Sequence, residues 1–395
     1  MGIEVETMGR DARSGRPLPY DGESASVRRV LEAYAKARGG ALVFEGDRPV
    51  GIDAPWGAIT LEPGGQVEWS SRPSPDLTEL AAATEAHLAA LAGIAKDRGV
   101  SWLDVAVEPT TPVEEMPWMP KARYEIMREI MAKRGRLAHR MMTQTASIQC
   151  AFDYASDLDW TRKFRAAALS SPVAVALFAN SGRVDGKSSG WASYRQAIWR
   201  ETDPDRCDLP PVVFDPGFNI DLWVEWVADV PTLFLRREAG LIASDGAPLR
   251  GKLELGGCDA VTMDDWELHL SSIFTEVRSY QYIEVRSADR LPDPLVMAVP
   301  AFWTGLLYDD GALDDALAIG RPFDSAEAWR RGMDEAARRG LSGSFDGTPL
   351  VESAARLVAR SLAALRSGST CAGSGEGADV LARLAQHAGL PGIAR

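Results

Sequence analysis

The chain's 395 residues carry 43 basic against 56 acidic side chains, a net charge of -13, with 46% hydrophobic content. That balance argues against a nucleic-acid partner or an anionic membrane surface, leaves room for a local basic pocket taking an anionic small molecule, and supports one large core or two smaller ones. No apolar run long enough to span a membrane and no charged-then-apolar leader occurs, so a soluble cytoplasmic protein is expected.

In chain order, Ile3-Glu4-Val5-Glu6 alternates apolar and acidic residues, which in a strand puts Glu4 and Glu6 on one face. A helix is predicted over 26–38, stopped by Gly39-Gly40, followed by short strands at 41–44, 51–52 and 58–61. The stretch 61–70 holds Glu62, Gln66 and Glu68. Gln66 and Glu68 share a strand face opposite Val67 and Trp69, and Pro63-Gly64-Gly65 breaks or bulges the strand. A long helix is expected next, with Ser74 as N-cap, Pro75 in its first turn and Gly99 as its stop, then a strand at Val105 and Val107. Past a proline-rich connection a helix opens at 119–124 with Lys121 and Arg123 in its first turn, where the helix dipole disfavours cations unless an anion lies nearby.

The run 145–153, with Thr145 and Gln149 among its polar positions, is the clearest two-residue alternation in the chain. A helix over 158–170 and an apolar run at 173–179 follow. The segment 181–188 resembles a phosphate-binding loop but has three residues between Gly182 and Gly186-Lys187-Ser188 where the motif needs four, and is expected to be a surface loop. Arg195 stands among aromatics at 194–199, and Trp199 either lines a pocket or packs the core. After a helix at 218–228 and a strand at 232–235, the glycine-rich 240–257 is expected to form a hairpin or flap, 266–274 a helix, and 282–286 another alternating strand bearing Glu284 and Arg286. The last third is helical from 301 onward, including 325–339 and 353–364, with a Gly/Ser linker about 367–377 before a short final helix.

Four strands thus share one polar-face design. If those faces converge, crowded carboxylates and amides repel one another and call for a counter-charge; hard divalent cations bridging phosphates answer that need, so magnesium with ATP is inferred. Cys150, Cys207, Cys258 and Cys371 lie far apart and are expected to be reduced and structural, and the scattered histidines make no zinc spacing.

Taken together, Glu4-Val5-Glu6, the stretch 61–70, the block 119–127, the run from 141 through 180 into 195–206, 266–286 and 300–309 resemble the plant-type glutamate-cysteine ligases of the glutamine-synthetase-like superfamily. The resemblance implies an α+β fold, a curved antiparallel sheet forming a funnel surrounded by helices, within a single catalytic domain over 1–395. Residues 1–310 would form the ligase core and 311–395 a helical C-terminal part. It implies an ATP-dependent ligase joining the γ-carboxylate of glutamate to the amino group of cysteine through γ-glutamyl phosphate, in glutathione biosynthesis, with about two or three magnesium ions per site.

By the same resemblance Glu4, Glu6, Glu62, Glu68 and Glu284 would hold metal. Arg123 and Arg195, with Thr145 and Trp199, would bind glutamate. Gln66, Glu284 and Arg286 would contact ATP, and Gln149, Glu284 and Arg286 would act in the transfer step. The chain departs from the plant pattern in beginning almost at Glu4, and in carrying Leu80-Ala81-Ala82-Ala83 and a single Cys258 where the plant enzymes carry regulatory cysteine pairs, so a disulfide switch is not expected. The loop 181–189 also differs, which leaves open a γ-glutamyl ligase for another amine, or a non-catalytic nucleotide- or amino-acid-binding paralogue. Small-molecule substrates, and a monomer or homodimer, are expected.

Overall fold

The computed structural model describes residues 1–22, 25–238, 240–253, 260–368 and 374–393. Its centre is β1 (Gly2–Asp11), which pairs antiparallel with β5 (Val67–Ser71) on one side and β7 (Ser147–Phe152) on the other; its far half pairs with β6 (Val100–Leu103). From β5 the sheet runs outward through β4 (Gly57–Leu61), β3 (Arg48–Ala54) and β2 (Ala41–Glu45). Short pairs lie outside it: Arg183–Val184 with Lys187–Ser188 (β8, β9), Cys207–Asp208 with Phe274–Thr275 (β10, β13), and Phe234–Arg237 with Gly240–Ala243 (β11, β12). From β7 the main sheet continues through Ile283–Asp289 (β15) to Val277–Ser279 (β14). These nine strands are antiparallel throughout and the sheet is open, with β2 and β14 at its edges.

The register follows from the alternation. Ile3, Val5, Val67, Trp69, Ile148, Cys150, Ile283 and Val285 all point to one face and are buried, each full burial of such a side chain contributing about 1.5–3 kcal/mol. Helices cover that face: α1 (Val27–Arg38) packs on β3, α2 (Leu77–Arg98) on β5, and α5 (Asp157–Leu177) on β15. The opposite face carries the acidic residues. Beside it stand α3 (Ala122–Met131), α4 (Ala138–Gln144) and α6 (Tyr194–Arg200). Further along are α7 (Ile220–Asp229) and α8 (Met263–Leu270), then the helical third: α9 (Ala298–Leu307), α10 (Asp310–Gly320), α11 (Ala326–Arg339), α12 (Leu350–Ser367) and α13 (Ser374–His387).

Several expected boundaries move. At 61–70 the expected break at Pro63-Gly64-Gly65 is a full turn, with β4 ending at Leu61, Gly65 at φ 87°, and β5 beginning only at Val67, so Gln66 lies in the turn rather than in the strand with Glu68. Asp76, not Ser74, caps α2, its side chain accepting from the Glu79 N–H at 2.9 Å. The strand expected at Val105 and Val107 lies earlier, at Val100–Leu103, because those residues continue β1's ladder; Val107 makes only an isolated bridge to Thr145. The expected break near residue 170 does not occur. Pro172 sits inside α5, and the carbonyl of Ala168 that it cannot serve accepts the Trp329 indole N–H at 2.9 Å. The glycine-rich 240–257 is not a hairpin of its own: its start, Gly240–Ala243, is the second strand of a hairpin with Phe234–Arg237, while 254–257, Cys258, Cys371 and residues 369–373 of the expected linker lie outside the described residues, and 374–377 already belong to α13. Cys150 and Cys207 are free and buried, and burial pushes both thiols up.

Candidate active site

Across the β1–β5 ladder Glu6 faces Glu68 and Glu4 faces Ser70; across β1–β7 Glu4 faces Gln149, and across β4–β5 Thr60 faces Glu68. Partners in an antiparallel ladder share a face, so this register gathers the carboxylates that the alternation only suggests. Glu62, at the start of the β4–β5 turn, joins them on the wall of a cavity of about 270 Å3. Each acid is held. Glu6 accepts from the Ser147 N–H at 2.7 Å and Gln149 Nε2 at 3.0 Å, Glu4 from Ser70 Oγ at 3.2 Å, and Glu68 from Thr60 Oγ1 at 2.5 Å. Burial first, then the neighbouring carboxylates, push Glu4 and Glu6 up to about 7 and raise Glu68 well above the usual carboxylate range.

Cations face the acids. Lys121 and Arg123 line the same cavity from the start of α3, and Arg278 and Arg286 line it from β14 and β15. Arg123 donates through Nη1 to Ser271 Oγ at 2.9 Å and through Nη2 to the Ser271 carbonyl at 3.1 Å, with its guanidinium 5.0 Å from the Phe234 ring centre. The anion that the basic first turn of α3 calls for is partly supplied from within, since Glu45 of β2 accepts from the Ala122 N–H at 3.0 Å. The β7–β15 ladder shifts register between Val285 and Ala288, and Arg286 in that bulge donates to Gln149 Oε1 and stands 5.9 Å from the Trp199 ring centre.

The other sequence-picked residues divide between wall and interior. Thr145 and Trp199 line the cavity; Thr145 Oγ1 donates to the Met141 carbonyl at 2.6 Å, and the buried Trp199 Nε1 has no hydrogen-bond partner among the described residues. Gln66 also lines it, but its amide clasps the turn: Oε1 accepts from the Gly64 N–H at 2.9 Å, and Nε2 donates to the carbonyls of Thr145 at 2.8 Å and Met142 at 3.3 Å. Glu284 is 2% exposed and chelated by Arg278; burial opposes its ionisation, but Arg278 and Arg286 hold its carboxyl below the usual range. Arg195 is buried behind the wall, its Nη2 donating to the Arg286 carbonyl at 3.0 Å. Sequence reasoning missed Arg278, Thr60, Ser271 and Phe274. Only Arg278 had a signal: Val277-Arg278-Ser279 alternates and then turns back into the Glu284 strand.

No group of three or more His, Cys, Asp or Glu side chains among the described residues is gathered closely enough to hold a metal unaided. Magnesium rarely asks for that. It usually keeps several waters and is held by one or two carboxylates together with substrate phosphates. Glu4, Glu6, Glu62 and Glu68, hard oxygen donors that crowding leaves short of positive charge, fit that manner of binding.

The profile of glutamate-cysteine ligase family 2 (GCS2) matches residues 1–390. The chain belongs to this family. Among curated relatives, chloroplastic glutamate-cysteine ligase of Brassica juncea is 38% identical over 331 residues, which are 83% of this chain and 64% of that protein. The Arabidopsis thaliana enzyme gives 38% over 83% of this chain and 63% of its own length, and that of Nicotiana tabacum 36% over 92% and 69%. This member of the family therefore spans less than two thirds of the length of the first of these relatives. In fold it is similar to the crystal structure of Francisella tularensis glutamate-cysteine ligase in complex with AMP, at TM-score 0.55 and 12% identity, covering 98% of this chain and 80% of that one. The same relatives correct the expected compartment. They are chloroplastic proteins, so a cytoplasmic setting does not follow for the family; surface charge and apolar content describe a folded surface and carry no address. No described helix is long and apolar enough to cross a membrane.

Proposed function

We propose that the protein is an ATP-dependent ligase that joins the γ-carboxylate of glutamate to the amino group of cysteine. The observation that carries this reading is the single cavity in which four carboxylates of the sheet and its turn face Lys121, Arg123, Arg278 and Arg286, in a chain of this family. ATP fits such a division of charge: its phosphates need metal at the acidic wall and guanidinium groups opposite. In this reading Glu4, Glu6, Glu62 and Glu68 would hold magnesium, with Glu284 joining them on release from Arg278. When bound, magnesium neutralises phosphate charge and orients the polyphosphate for in-line displacement.

The protein's own groups do the rest by positioning. Arg123, already fixed by Ser271, offers a planar fork to a glutamate carboxylate on a wall shared with Trp199 and Thr145, and Arg195 would back that wall from α6 and contribute its remaining donor to the same substrate. The glutamate γ-carboxylate oxygen attacks the γ-phosphorus of ATP and ADP leaves. Arg286, steered by Gln149 and lining the same cavity, would stabilise the charge that develops on the transferring group. The acceptor amine then attacks the acyl carbon, giving up a proton as inorganic phosphate departs. No side-chain nucleophile is required. All 395 residues are read as one catalytic unit, because α12 packs on both α5 and α9.

The deciding experiment measures ADP release with magnesium, ATP and glutamate across a panel of amines, with products identified by mass. Cysteine-dependent turnover yielding γ-glutamylcysteine is expected. Turnover only with a different amine would move the acceptor and keep the rest, and glutamate-independent or absent turnover would overturn the reading.

A further inference from the structure

Asp289 ends β15 and is 1% exposed, outside the set of residues assigned above. Its Oδ2 accepts from Ser181 Oγ at 2.6 Å and the Asn180 N–H at 2.8 Å, and its Oδ1 from Ser193 Oγ at 3.0 Å. Both serines pass the order on to α6. Ser181 Oγ accepts from the Arg195 N–H at 3.1 Å, and Ser193 Oγ caps the helix by accepting from the Gln196 N–H at 3.4 Å. Helix α6 has seven residues, too few to hold its shape or direction unaided. It carries Arg195, whose Nη2 donates to the Arg286 carbonyl while Nη1 has no hydrogen-bond partner among the described residues and lies 3.8 Å from Asp289. One buried charge therefore fixes the start of α6, the loop before it and the setting of an arginine with a donor still to spend.

We propose that Asp289 is a positioning residue for glutamate recognition, acting through Arg195. The inference rests on the reading of Arg195 as a glutamate-binding group. A buried guanidinium with an unspent N–H recognises a carboxylate only if it is already aimed, since reorganising it on binding would cost affinity. Asp289 supplies that aim through its three neutral donors, while its Oδ1 stands 3.8 Å from Arg195 Nη1, close enough to pair in charge but not to hydrogen-bond, so it does not capture Arg195 in a closed bidentate pair.

The test is a double-mutant cycle of Asp289→Asn and Arg195→Ala, with KM for glutamate, KM for ATP and kcat measured for each protein. Asp289→Asn keeps the shape but offers an amide N–H where an acceptor is needed. It is expected to raise KM for glutamate about tenfold with KM for ATP and kcat within about twofold, and to add nothing in the Arg195→Ala background. Additive effects, an unchanged glutamate KM, or parallel losses in all three parameters would overturn the proposal. If Asp289→Asn does not fold, Ser181→Ala and Ser193→Ala each remove one donor; a glutamate KM raised about two- to threefold supports the assignment and an unmoved one overturns it. Wild-type turnover that ignores glutamate would sink the substrate reading and Asp289 with it, whereas a glutamate-dependent wild type with additive variants sinks the Asp289 assignment alone.

Discussion

Glu6 and Glu68 stand directly opposite one another on adjacent strands, with Glu4 and Glu62 beside them, an arrangement that opposes folding when all are charged. Their raised pKa values give that opposition a sign. Glu4 and Glu6 rise from 4.5 to about 7, so between those values the folded chain binds more protons than the unfolded one and stability falls as pH rises. Below that window both states are protonated, and above it the full cost stays; water in the open cavity moderates it. In the absence of metal, Glu68→Gln is therefore expected to melt with the wild type near pH 4.5 and roughly 1–3 °C above it at pH 8, while losing glutamate-dependent ADP release. Melting curves in chelator across pH, with turnover at pH 8, check both; a variant no more stable at pH 8 would mean that the carboxylates do not oppose each other. Arg123 has the complementary task. Arg123→Ala should raise KM for glutamate roughly 10- to 100-fold with a smaller change in kcat, and an unchanged glutamate dependence in steady-state kinetics would remove it from the substrate site.

Strands carry these residues to one place, and how far that is legible depends on what each strand faces. Alternation at Glu4-Val5-Glu6 and along 145–153 is visible because one face must be apolar to meet the helices. Register is not visible, since nothing in β1 alone says that Glu6 falls opposite Glu68. The fates of Glu284 and Gln66 are hidden for a related reason: the partners that occupy them, Arg278 and the carbonyls of Met142 and Thr145, belong to other elements. Helix α5 hides its continuity in the same way, because the indole that serves the carbonyl of Ala168 comes from α11. The β4–β5 turn is where sequence and site meet most tightly. A Cβ on Gly64 would lie 2.2 Å from the Thr143 carbonyl oxygen and 2.6 Å from its Cα, so the turn touches α4 backbone to backbone. Gly64→Ala must push that turn off α4 and shift Glu62 and Glu68 together. It is expected to cost about 1–3 kcal/mol and to reduce ADP release with a raised magnesium requirement; calorimetry and a magnesium titration of activity test this, and an unmoved magnesium dependence would separate the turn from the acidic wall.

At the scale of the whole molecule, a chain of net charge -13 still gathers four cations, from α3 and from β14 and β15, around one cavity, a contrast that composition cannot express. The helical character of the last third could be read from the sequence, but not its relation to the sheet, because the contacts that tie it down are long-range. The tightest of these joins α9 to α12. A Cβ on Gly305 would sit 2.3 Å from Ser361 Oγ, 2.6 Å from its carbonyl oxygen and 2.8 Å from its Cα, and Ser361 Oγ donates to the Ala301 carbonyl at 3.2 Å. The other side of α9 lies on β7, the strand of Gln149, and α12 also rests on α5, which backs β15. A wedge at Gly305 therefore strains a path that ends at the strands bearing Gln149, Glu284 and Arg286. If residues 311–395 and the sheet form one cooperative unit, Gly305→Ala lowers a single melting transition by roughly 2–4 °C and reduces turnover with it, and magnesium with ATP restores part of the loss by binding the folded state. If the C-terminal helices are separable, the same substitution splits the calorimetric trace into two transitions and leaves ADP release at its wild-type rate.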